Sequence, residues 1–120
     1  GGDGGDSDSN GAQALAAGAV AIGADADANF SNSVALGFGA QALNNNAIAI
    51  GRTSGALQSN SIAIGNLAAS SAIRATAVGN ASRASGDDAL ALGASANASA
   101  DTSVALGAGS QATTANTVSV

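Results

Sequence analysis

The chain has 120 residues, 46% of them hydrophobic but with two phenylalanines as the sole aromatics; eight aspartates and three arginines leave a net charge of −5. Without His, Cys, Lys, Glu or Tyr there is no general base tuned for neutral pH and no activated nucleophile, so the chain is expected not to be an enzyme and to need no cofactor. The acidic balance provides no basic patch for phosphates, which excludes nucleic acid as a partner and disfavours an anionic membrane surface, and no apolar run approaches the ~20 residues of a membrane-spanning helix.

Residues 1–11, opening Gly1-Gly2-Asp3-Gly4-Gly5-Asp6-Ser7-Asp8, read as a Gly/Asp-rich leader or an atypical first coil. Glycine–aspartate turns can offer the hard oxygen ligands that Ca²⁺ takes, but one unrepeated copy at a chain end reads better as a leader. Asp25/Asp27 and Asp87-Asp88 read as solvated turns, so no metal site is expected.

From residue 12 a strict period takes over. Gly23, Gly37, Gly51, Gly65, Gly79, Gly93 and Gly107 fall at a step of 14. Each closes a tripeptide centred on alanine, as in Val34-Ala35-Leu36, Ile48-Ala49-Ile50, Ile62-Ala63-Ile64, Leu90-Ala91-Leu92 and Val104-Ala105-Leu106; Thr76-Ala77-Val78 is a degraded copy and Val118-Ser119-Val120 stops one residue short of the next glycine. After each glycine a second alternation of small residues follows, such as Ala40 and Ala42 or Ala96 and Ala98, and then a polar turn such as Asn44-Asn45-Asn46. Fourteen residues also make two heptads, but a glycine in every unit, period-2 alternation and β-branched residues favour strands over a coiled coil.

Each unit therefore reads as strand, glycine corner, small-residue strand and polar turn, one coil of a flattened solenoid over residues 12–120. Coils stacked ~4.8 Å apart give a rod section of roughly 40 Å. A triangular hexapeptide helix and paired nonapeptide Ca²⁺ repeats both need about 18 residues per coil and do not fit.

Alternation then separates two side-chain sets. The large residues flanking each central alanine are expected to fill the interior against the small residues of the opposite strand. Ala21, Ala35, Ala49, Ala63, Ala77, Ala91 and Ala105 are expected to form a smooth outer stripe. An alanine-dominated core buries little surface, so the stripe is read as an interface with other chains in preference to an idle solvent face. In the irregular coil 66–79, Arg74 stands where Asn is usual, either as drift in a tolerant turn or as a ligand or interchain contact pairing with a neighbour's aspartate. Leu43 and Leu57, one coil apart, and Phe38 after a corner glycine read as packing between chains, or else as an exposed patch for a partner.

Asn32-Ser33-Val34-Ala35-Leu36-Gly37, Asn60-Ser61-Ile62-Ala63-Ile64-Gly65 and Thr102-Ser103-Val104-Ala105-Leu106-Gly107 resemble the head repeats of YadA-like trimeric autotransporter adhesins, also called haemagglutinin-type repeats. The resemblance spans about residues 12–120. It implies an all-β, left-handed parallel β-roll assembled as a parallel homotrimer. It also implies a head carried on a stalk and an outer-membrane anchor that this fragment lacks, displayed on a bacterial cell surface. Such heads attach to host extracellular matrix proteins, collagen among them, or to cell-surface components, and some mediate self-aggregation.

The family's collagen association is tied to strings like Asn-Ser-Val-Ala-Ile-Gly-x-x-Ser. Asn32 to Ala40 and Asn60 to Ala68 each match except at two positions, and Asn46 to Ser54 keeps the final serine. On that resemblance Asn32, Ser33, Asn46, Ser54, Asn60 and Ser61 are candidate ligand residues, although the same string also serves the fold through turn, interior and corner. The rival reading is a structural or ice-binding solenoid without a host ligand. Thr53, Thr76, Thr102, Thr113, Thr114 and Thr117 form no ladder, which argues against ice binding.

Overall fold

The structure is a computed structural model that describes residues 11–120; the leader expected over residues 1–11 and its Asp-rich turn lie, apart from Gly11, outside the described residues. The described residues form sixteen short strands, of which the first half are β1 (Gln13–Ala14), β2 (Val20–Ile22), β3 (Asp27–Ala28), β4 (Val34–Leu36), β5 (Gln41–Ala42), β6 (Ile48–Ile50), β7 (Gly55–Ala56) and β8 (Ile62–Ile64). The second half repeats the pattern with β9 (Ala69–Ser70), β10 (Thr76–Val78), β11 (Arg83–Ala84), β12 (Leu90–Leu92), β13 (Asn97–Ala98), β14 (Val104–Leu106), β15 (Gln111–Ala112) and β16 (Val118–Ser119). Odd-numbered strands build one eight-stranded parallel sheet and even-numbered strands another. Pairing advances by one coil throughout, with Val34 opposite Ile48, Ile48 opposite Ile62, and Gln41 opposite Gly55. The fold is thus a parallel β-solenoid of 14-residue coils, about eight turns long, with principal extents of 44 × 25 × 16 Å.

Two four-residue turns close each coil. In the first, the N–H of Ala40 donates to Gly37 O at 3.2 Å; in the second, the N–H of Ala47 donates to Asn44 O at 3.2 Å. The third residue of nearly every turn has a positive φ, as at Asn46 (59°), Thr53 (56°), Leu67 (62°) and Arg74 (56°). That conformation costs a non-glycine residue about 1–2 kcal/mol. It also aims the residue's N–H along the solenoid axis: Thr53 donates to Phe38 O at 2.8 Å and Leu67 to Arg52 O at 3.0 Å. The hydrogen-bond ladder therefore continues through the corners, which offsets the strain.

The turns also set what fits inside. A four-residue reversal spans less than ~7 Å between its end Cα atoms, well under the ~10 Å of ordinary sheet-on-sheet packing. Opposed sheets tied together this tightly have room for methyl and hydroxymethyl groups alone. Among the described residues the interior accordingly consists of alanines, Gly86 and six serines, and the largest fully buried side chains are Ser33, Ser54, Ser61, Ser70, Ser82 and Ser103.

This reverses the expected facing of the long strands. Ala35, Ala49, Ala63, Ala77, Ala91 and Ala105 are 0% exposed within a single chain, so they form the core and not an outer stripe. Their large neighbours point outward: Val34, Leu36, Ile48, Ile50, Ile62 and Ile64 are half-buried, while Leu92 and Leu106 are exposed. The preference of large apolar groups for the inside yields here to a cavity too narrow to hold them.

Most interior hydroxyls are satisfied locally: Ser33 Oγ donates to Phe30 O at 2.6 Å, Ser54 Oγ to Gly51 O at 2.8 Å and Ser61 Oγ to Gln58 O at 2.7 Å. Ser70 differs, because its buried Oγ has no partner. It stands in the column of Ala42, Ala56, Ala84 and Ala98, where alanine already fits. Ser70→Ala is expected to stabilise the chain by about 1 kcal/mol, since an unpaired buried hydroxyl costs roughly 1–3 kcal/mol. A urea midpoint equal to or below that of the wild type would contradict this.

Candidate functional site: the outer faces of the solenoid

With the interior closed to anything larger than serine, function falls to the surface, which has two sheet faces and two turn edges. The outer face of the long-strand sheet is apolar. One column runs Val20, Val34, Ile48, Ile62, Thr76, Leu90, Val104, Val118, and the next runs Ile22, Leu36, Ile50, Ile64, Val78, Leu92, Leu106. The face extends along the 44 Å molecule, and a continuous apolar strip is the kind of surface that marks an interaction site. The opposite face is flat and mostly polar, with Gln41, Arg83 and Gln111 exposed on it and Asp27 and Asn97 half-buried.

The turn edges carry side-chain ladders. Asn32, Asn46 and Asn60 occupy the positive-φ corner, a conformation that asparagine tolerates better than most residues. Their amides connect successive coils: Asn32 Nδ2 donates to Asn46 Oδ1 at 3.4 Å and Asn46 Nδ2 to Asn60 Oδ1 at 3.1 Å. Ser33, Ser54 and Ser61 are buried at 1% exposure or less. The six candidate ligand residues therefore divide. The serines are internal turn braces that no ligand can reach, and the three asparagines are exposed but engaged with one another.

Arg74 also departs from expectation, because its partner lies in its own chain. Nε and Nη2 form a forked pair with the Asp88 carboxylate one coil on, at 2.6 and 2.8 Å. The hydrogen bond from Arg74 holds the Asp88 carboxyl below its ordinary pKa, and the same bond raises that of Arg74. Both groups are exposed, so the pair fastens one turn to the next without isolating a charge. Asp87 and Asp101 also act along the axis: Asp87 Oδ1 accepts the Ile73 N–H at 3.1 Å, and Asp101 Oδ1 accepts the Asp87 N–H at 3.0 Å.

On the other edge the Arg52 guanidinium lies 5.8 Å above the Phe38 ring, and Asn66 Nδ2 donates to Asn80 Oδ1 at 3.1 Å. Leu43 and Leu57 stand beside each other on the outer side of the short-strand sheet. Among the described residues, no group of three or more acids, histidines or cysteines is placed to hold a metal ion. Among the described residues no helix is long and apolar enough to cross a membrane.

The model of the "YadA head domain repeat (2 copies)" matches in overlapping units at residues 10–26, 31–54, 42–68, 56–82, 70–96, 84–110 and 98–120. The chain belongs to the YadA head-repeat family. No curated protein matches it in sequence. Among solved structures it is similar to the collagen-binding domain of the Yersinia adhesin YadA, with 36% identity and a TM-score of 0.75. That similarity covers 85% of this chain and 57% of the Yersinia domain, so the chain spans little more than half of it. Family and fold are those of an adhesin head.

The outward Val/Leu/Ile face is what sequence reasoning missed. A signal was available: two tight four-residue turns in each 14-residue coil limit the width of the interior before any side chain is placed.

Proposed function

We propose that this chain is the head of a trimeric cell-surface adhesin, in which three copies pack their long-strand faces around a common axis and turn their polar faces outward to host matrix, collagen in particular. The observation that carries this reading is the pairing of an Ala/Ser interior with an outer face of Val, Leu and Ile. An alanine core contributes little to stability at about 25 cal/mol per Å². Association would bury the large side chains that one chain leaves in water, and the Yersinia similarity makes collagen the first ligand to try. Attachment would be multivalent, since contacts repeated in each chain sum to avidity without a single strong site. Surface complementarity, not bond chemistry, is the mechanism.

Sedimentation equilibrium tests the assembly. The chain is expected to have the mass of three copies, and the double variant Ile50→Asp/Ile64→Asp is expected to dissociate, because it places carboxylates in the centre of the apolar face. A wild-type chain that is a folded monomer would overturn the reading.

A further inference from the structure

Among the described residues the two turn edges carry four large hydrophobic side chains, and each edge has two of them. Phe38 and Leu67 lie on the edge that follows the long strands, Phe30 and Ile73 on the edge that precedes them. All four are exposed, from Ile73 at 40% to Leu67 at 50%. Leu67 is the least expected of them. Its φ of 62° is left-handed, and other coils fill the same corner with Asp25, Gly39, Ser95 or Gly109, residues better suited to that conformation or small enough to be neutral in water. Neither backbone preference nor burial in its own chain accounts for a leucine there.

The four are also matched in height. The turns that hold Phe30 and Phe38 stand at the two ends of β4, and those that hold Leu67 and Ile73 stand at the two ends of β9. Each pair therefore lies within one coil step of a common height, under ~4.8 Å, with its members on opposite edges. Between the pairs both edges are polar, with Arg52 and Thr53 on one and Asn46 and Asn60 on the other.

Opposite edges of one chain never meet, but in a ring of copies they must. The long strands all run parallel, so three copies around an axis along the solenoid send their strands around that axis in one sense. The edge at the C-terminal ends of the strands in one copy then adjoins the edge at their N-terminal ends in the next, a heterologous contact that closes. We infer that the turn edges form a second interface of the trimer, beside the long-strand face, in which Phe38 packs on Phe30 of the next copy and Leu67 on Ile73 of the next copy. The inference rests on the trimer proposed above. It gives the four exposed groups a place out of water, and it fixes the axial register. Sliding one copy by a coil would set Leu67 against Ser59 or Asp87 in place of Ile73. The acids of one edge, Asp87, Asp88 and Asp101, come level with Asn80, Ala81 and Ser95 of the other, so the ring brings no like charges together. A partner of another kind would have no cause to find apolar residues matched height for height on opposite edges.

The test is cross-linking between introduced cysteines, in a chain that has none of its own. Leu67→Cys/Ile73→Cys treated with a short bismaleimide is expected to give covalent trimers on a denaturing gel, because each copy is joined to both neighbours; a link within one chain would run at monomer mass. Phe38→Cys/Asp101→Cys, with its positions several coils apart or roughly 20 Å along the axis, is expected to stay at monomer mass. Leu67→Asn suits the positive φ, so it is expected to keep the fold by circular dichroism and yet to raise the trimer dissociation constant at least tenfold in sedimentation. A wild-type trimer whose cysteine pair at 67 and 73 yields monomers alone, or whose Leu67→Asn variant associates as tightly, would overturn the edge contact and leave the trimer standing. A wild-type chain that is a folded monomer would overturn both.

Discussion

Gly65→Ala is expected to unfold the solenoid or lower its stability by about 3–5 kcal/mol, the range of changes that combine backbone strain with steric conflict. Gly65 has a φ of 131°, and a Cβ built on it would lie 2.6 Å from Gly79 O and 2.7 Å from Gly79 C in the next coil. Those neighbours are backbone atoms whose carbonyl already accepts the Ser82 N–H and hydroxyl in its own turn, while the Gly79 N–H is bonded to Ile64 O, so nothing can move aside without opening the turn or separating two coils. Gly79 faces Gly93 in the same way, with the carbonyl oxygen 2.5 Å from the built Cβ, so the corner glycines form a self-crowded column. Gly39 separates the two causes. Its φ is 65°, but a Cβ added to it would meet Thr53 Oγ1 alone, at 3.9 Å. Gly39→Ala is therefore expected to show the conformational cost alone, about 1–2 kcal/mol. Urea unfolding followed by circular dichroism measures both, and equal losses would mean that crowding between coils contributes nothing.

The second large effect tests which way the long strands face. Ala63 is 0% exposed, between Ala49 and Ala77 in the central interior column. Ala63→Val adds two methyl groups where the turns hold the sheets closest, and a loss of about 3 kcal/mol or more is expected, at the upper end of ordinary overpacking. Ile64 is the adjacent residue on the opposite side of the strand and half-buried. Ile64→Val is expected to change stability by less than about 1 kcal/mol, within the range for deleting one methyl group. A tolerated Ala63→Val together with a severe Ile64→Val would show that the large residues point inward after all.

These two experiments separate what could be read from the chain from what could not. The 14-residue glycine step and the period-2 tripeptides determined by themselves that the molecule is a stack of identical coils. They also placed the strands correctly, since the Val34-Ala35-Leu36 pattern and its copies became the even-numbered strands. The small-residue stretches became the second sheet, because alternation and glycine corners are local properties of the backbone. The resemblance of the Asn-Ser-hydrophobic-Ala-hydrophobic-Gly strings to YadA heads likewise held over residues 10–26 and 31–120.

Facing was different. Period 2 divides a strand into two sets of side chains, but it does not say which set is inside; that depends on the distance to the opposite sheet. Here the distance is fixed by two i-to-i+3 reversals in every coil, and the narrow interior accepted Ala35 and its column while excluding Val34 and Leu36. The same tertiary constraint removed Ser33, Ser54 and Ser61 from any ligand by turning them inward, and it brought Arg74 onto Asp88, fourteen residues away in sequence and one coil away in space. Local pattern determined the coil. The closeness of the two sheets, which no single coil position encodes, decided which surface is left to meet another molecule.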